Sequence, residues 1–101
     1  MLHGTVKNTD LKSYMGPKLS AIKVGEFILS FYFGHDKQLD ITTYWEFFDE
    51  SNPLPIDRAI ALKQREQFHL LKLIGTKLIS SSKLMHQVEL VFEGNYRIVV
   101  S

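Results

Sequence analysis

The side chains of this chain that could do chemistry are four histidines, a run of carboxylates and a cluster of aromatic rings. His3, His35, His69 and His86 lie far apart in sequence, and only His35 has a carboxylate beside it, Asp36. A metal site needs several such ligands to converge, and no spacing here predicts it. The carboxylates gather between residues 36 and 57, where Asp36, Asp40, Glu46, Asp49, Glu50 and Asp57 face the single base Lys37. Two carboxylates held at a fixed separation could divide acid and base roles; nothing in the sequence marks any two as a pair. Tyr44, Trp45, Phe47 and Phe48 fall in the same segment. Rings surrounded by carboxylates suit recognition better than catalysis, because rings supply anchors and carboxylates a charge-selective rim. The expectation is therefore a binding protein and not an enzyme, with no cofactor and no metal. Its surface would comprise Asp36, Asp40, Tyr44, Trp45, Glu46, Asp49 and Glu50. Trp45 fits a core position as well as an anchor.

Known catalytic motifs are absent. There is no G-x-x-x-x-G-K-[ST], no G-x-G-x-x-G, no H-E-x-x-H and no G-x-S-x-G. The formal net charge of +1 is too small to imply nucleic acid by itself. That near-zero total hides a division: residues 58–83 carry Arg58, Lys63, Arg65, Lys72, Lys77 and Lys83 against the single acid Glu66. The aromatics lie in the acidic half, where phosphates would be repelled. Nucleic-acid affinity comes mainly from neutralised phosphate charge, so that reading ranks second. At 101 residues, 45% of them hydrophobic, the chain reads as one domain with one modest core. It has no cysteine, no apolar leader at its start and no apolar run of membrane-spanning length, which leads to an expectation of the cytoplasm.

The elements that must hold these residues follow from periodicity. In "FILSFYF" (27–33), Phe27, Leu29, Phe31 and Phe33 share one side of a strand, since side chains alternate with period two. "GHDK" offers a turn, and Leu39 and Ile41 resume the inward positions. In "VELVFEGNYRIVV" (88–100) the pattern returns, with Val88, Leu90 and Phe92 inward, a Gly94-Asn95 turn, then Tyr96, Ile98 and Val100 inward. The two hairpins align without a gap at a spacing of 59, and so do Gly16-Pro17-Lys18-Leu19 and Gly75-Thr76-Lys77-Leu78. The expected architecture is α+β and mostly antiparallel. Two pseudo-repeated three-stranded units (15–43 and 74–101) would pack as a sandwich or half-barrel, each burying the apolar face of the other. The serines at 80–82 make the first strand of the second unit an expected edge.

Residues 44–73 form an unrepeated insert. Alternation puts Tyr44 and Glu46 on one face and Trp45 and Phe47 on the other. Asn52-Pro53 and Pro55 mark a loop, and Asp57 is placed to cap a helix. "QREQFHLLKLIG" predicts a helix over 64–74, with Phe68, Leu71 and Ile74 as its stripe, Leu70 and Leu73 beside it, and Gly75 as its stop. Residues 56–63 could extend that helix or form a short strand.

The segments "LSFYFGHDKQLDITTYWEFF" (29–48), "LLKLIGTKL" (70–78) and "VELVFEGNYRIVV" together resemble a class of small bacterial proteins. These are immunity proteins of contact-dependent and related polymorphic toxin systems, along with uncharacterised domains. The resemblance covers about residues 15–101 and rests mostly on strand and turn residues; the family's Trp-Arg pair reads Trp45-Glu46 here. It implies a stoichiometric inhibitor of a cognate toxin with a basic nuclease cleft, in which carboxylates stand in for phosphates. Two other readings stay open: a small β-domain that binds single-stranded nucleic acid, and a self-associating structural domain, as in a homodimer.

Overall fold

A computed structural model describes residues 2–3, 11–25, 28–50, 52–59 and 69–101. The order of elements is β1 (Leu2–His3), a 3-10 helix (Leu11–Tyr14), β2 (Leu19–Val24), β3 (Leu29–Phe33), β4 (Lys37–Ile41), β5 (Trp45–Phe48), β6 (Asp57–Arg58), a second 3-10 helix (His69–Leu73), β7 (Leu78–Leu84), β8 (Gln87–Phe92) and β9 (Tyr96–Val100). The strands form a four-stranded sheet in the order β1-β4-β3-β2 and a five-stranded sheet in the order β6-β5-β9-β8-β7. Every pairing within them is antiparallel.

Alternation decides which residues face inward. Leu29, Phe31, Phe33, Leu39 and Ile41 from the first sheet are buried, and so are Trp45, Phe47, Leu78, Leu90, Phe92, Ile98 and Val100 from the second. All join one hydrophobic cluster. Its centre is aromatic. The Phe92 ring lies 6.0 Å from Phe31 and 6.5 Å from Phe33, nearly parallel to the latter at 8°. Tyr14 meets Phe33 edge-on at 5.5 Å, and its hydroxyl donates to the Gln38 carbonyl. Such offset and edge contacts add to the burial of large apolar area.

The two hairpins keep the same register. Leu19 pairs with Phe33, Ile22 with Phe31 and Val24 with Leu29; Leu78 pairs with Phe92, Ser81 with Leu90 and Lys83 with Val88. Each residue of the second set stands 59 positions after its counterpart. Both first strands also shift register at the same relative place, Leu19/Ala21 and Leu78/Ser80. The Gly34 N–H donates to the Lys18 carbonyl as the Glu93 N–H does to that of Lys77, both at 3.0 Å. The expected edge strand is an edge: β7 closes one side of its sheet, as β2 does in the other.

The segment expected as an unrepeated insert contributes strands. β5 pairs along β9, Trp45 opposite Val100 and Phe47 opposite Ile98, and β6 pairs on its far side. Residues 57–58 are therefore strand, while 60–63 lie outside the described residues. The expected helix at 64–74 is corrected in its described part: 69–73 is a 3-10 helix, and 64–68 lie outside the described residues. Its buried pair is Leu70 and Leu73, while Leu71 and Ile74 of the expected stripe are exposed. A 3-10 helix has three residues per turn, so i and i+3 eclipse on one side, which suits five residues with two leucines to bury. Gly75, at φ 92°, ends it and donates its N–H to the Leu19 carbonyl. Asp57 does cap, but at a distance: its carboxylate accepts the N–H of His69 at 3.0 Å.

Two substitutions check this account. Phe92→Ala removes the ring between the sheets and is expected to cost about 3–5 kcal/mol in urea unfolding. Asp57→Ala leaves the first N–H of the second 3-10 helix without its acceptor. By the cost of losing a cap it should lower stability by about 0.5–2 kcal/mol in the same assay.

Candidate partner-binding surface

Trp45 and Phe47 point into the core, so Glu46 and Phe48 must point out of the five-stranded sheet. Tyr44 precedes the strand and is 44% exposed. Its carbonyl accepts the Ser101 N–H, which fixes the backbone, and its hydroxyl donates to Glu46 Oε2 at 3.2 Å. Partial burial, the hydrogen bond to Glu46 and the Glu46 charge all push the Tyr44 hydroxyl above the ordinary phenol value, while Arg58 pulls it the other way. The phenol thus stays a donor through neutral pH.

Neighbouring strands complete this outer face. Glu46 pairs with Arg58 on β6 and Val99 on β9, and Phe48 pairs with Arg97. The Arg97 guanidinium carbon sits 4.4 Å from the Phe48 ring centre, and its Nη1 is 3.2 Å from Glu89 Oε2 on β8. An aromatic face and a carboxylate therefore hold one guanidinium together. At the end of β5, Glu50 Oε2 accepts from Asn95 Nδ2 at 2.9 Å, tying the strand's exit to the β8–β9 turn. Asn95 has φ 64° and the preceding Gly94 φ 85°, the conformation expected of that turn.

The structure divides the sequence-derived residues. Tyr44 and Glu46 lie together, and Asp49 and Glu50 follow on the same strand's exit. Trp45 is only 5% exposed and belongs to the core, so it offers no ring to a partner. Asp36 and Asp40 belong to the other sheet. Asp36 is exposed in the β3–β4 turn. Asp40 Oδ1 accepts from the buried Ser30 hydroxyl at 2.6 Å and from Gln38 Nε2 at 2.9 Å. It alternates with Leu39 and Ile41, so it faces away from the shared core on its own sheet. Phe48, Arg58, Glu89 and Arg97 were not among the expected site residues. Alternation beside Ile98 puts Arg97 outward, but only the β5–β9 pairing sets it over Phe48.

Among the described residues, no three His, Asp or Glu side chains come together to hold a metal ion. His35 and His86 are exposed in separate turns, and His69 starts the second 3-10 helix. No helix among the described residues is long and apolar enough to cross a membrane.

The tyrosine titration follows in sign. A raised phenol value means the folded state favours the neutral ring. Its contribution is full below pH 10.0, the unperturbed value, and is lost as pH rises beyond it through the raised folded value. Ultraviolet titration should show a tyrosine ionising late, and Tyr44→Phe should remove that step. Comparison with protein-family models, with curated proteins and with solved structures found no match to this chain.

Proposed function

We propose that this chain is a stoichiometric protein inhibitor of the immunity type, acting in the bacterial cytoplasm by covering a toxin's basic, substrate-binding cleft. It would be built from two related three-stranded units packed as a sandwich. The matching registers 59 positions apart support the relation between the units. The single observation that carries the binding surface is the Tyr44–Glu46 pair, an exposed ring hydrogen-bonded to an outward carboxylate at 3.2 Å. That bond and the Ser101 N–H on the Tyr44 carbonyl restrict the pair in the free protein, which lowers the ordering cost of association. Asp49 and Glu50 extend the carboxylates along the exit of the same strand, and the Arg97–Phe48 stack supplies a rigid neighbour. An inhibitor of this kind needs complementarity rather than chemistry. Such a complex would bury on the order of 1,600 Å² in total.

Co-expression with the product of a neighbouring toxin-like gene should restore growth and give a one-to-one complex on purification. Absence of both rescue and co-purification would end this reading. Within the complex, Asp49→Lys with Glu50→Lys should weaken binding at least tenfold in calorimetry, since like charges juxtaposed at an interface are costly. Glu50→Lys also removes the acceptor of Asn95, so the free protein should lose about 0.5–1.5 kcal/mol in urea unfolding while remaining folded.

A further inference from the structure

The two sheets touch at a corner outside the described surface. There Lys18 and Lys77 form an isolated antiparallel bridge, joining the start of β2 to the start of β7. The Leu19 N–H donates to the Thr76 carbonyl at 2.7 Å, flanking this pair. Lys18 and Lys77 therefore sit at a position that does not itself exchange hydrogen bonds, where opposed Cα atoms are about 4.5 Å apart and side chains are closest. Leu19 and Leu78 follow immediately and are buried, so alternation turns both lysines to the solvent side. Lys18 is exposed and Lys77 half-buried. Among the described residues neither ammonium has a carboxylate within ion-pair distance. Glu93 Oε1 accepts the Lys77 N–H at 2.8 Å, so this carboxylate lies beside the Lys77 backbone and, among the described residues, beyond ion-pair distance of either ammonium.

Like charges directly opposite on a sheet are destabilising. The arrangement also has local two-fold character, because Lys18 and Lys77 are counterparts at the spacing of 59. We propose that this pair is an anion site, in which the two ammonium groups converge on one phosphate-class oxyanion. Two strongly hydrated point charges on flexible stems suit such a ligand. A bound anion offsets the repulsion expected of like charges set opposite one another. The site is independent of the Tyr44 surface and of the inhibitor reading.

The test is thermal unfolding of the full chain in sodium phosphate against sodium chloride at matched ionic strength. Once phosphate exceeds its Kd several-fold, the midpoint should rise by about 4–8 °C over chloride. Lys18→Gln and Lys77→Gln should each abolish that rise, while Lys23→Gln, an exposed lysine further along β2, keeps it. In dilute chloride the first two variants should melt slightly above the parent protein, and added salt should narrow the gap. Equal midpoints in phosphate and chloride would overturn the proposal, as would a rise that survives Lys18→Gln or disappears in Lys23→Gln. A short single-stranded oligonucleotide separates two sources of the same chemistry. Binding tenfold tighter than inorganic phosphate, lost in the same two variants, assigns the anion to a nucleic-acid backbone; no gain over phosphate assigns it to a free oxyanion.

Discussion

Both antiparallel sheets send their apolar side chains into one cluster, and the Phe31, Phe33 and Phe92 rings are where the two contributions meet. This contact constrains almost everything else. Side chains alternate along a strand, so a slip of one residue in β3 or β8 would turn these rings to the solvent. The registers on either side of them are therefore strongly specified. Once Trp45 and Phe47 take their places against the same core, Glu46 and Phe48 have no choice of direction. The outward surface is a consequence of the inward one.

The edges of the sheets show a second constraint. Among the described residues, β2 and β7 each have one hydrogen-bonded neighbour along most of their length. Both carry a register shift near their start, and both carry lysine, devices that discourage pairing with another chain. The extra residue differs between them. The Ser20 hydroxyl donates to the Tyr32 and Gly34 carbonyls at 2.9 and 3.1 Å, whereas Ile79 at the equivalent place is 55% exposed. The 3-10 helices cross over at this corner: the one before β2 packs on β7, and the one before β7 packs on β2. Neither half of the chain completes its own surroundings.

Charge is segregated along the chain but interleaved in space. Arg58, the first residue of the basic segment, lies beside Glu46 of the acidic one, and Arg97 stands between Phe48 and Glu89. Strand pairing joins residues from distant segments, so a run of one sign in sequence need not make a face of one sign. Among the described residues, the carboxylates that remain exposed are those at turns and strand exits, such as Asp36 and Glu50, where the chain leaves the sheet.

Alternation is a local property, and what depends on it was legible in the residues themselves: the hairpins at 29–41 and 88–100, their inward leucines and phenylalanines, the glycine turns and the opposite directions of Trp45 and Glu46. Period alone chose the wrong stripe in the segment before Gly75. Leu70 and Leu73 are buried in place of Leu71 and Ile74, because the three-residue turn sets i and i+3 on one side and the helix packs against β2. Partnership across the sheet was not readable either. That β5 lies along β9, that Asp57 caps a turn twelve residues on, and that Lys18 faces Lys77 are all facts of non-local pairing. A residue's own neighbours in sequence decide which way it points; only the closing of the whole core decides what it points at.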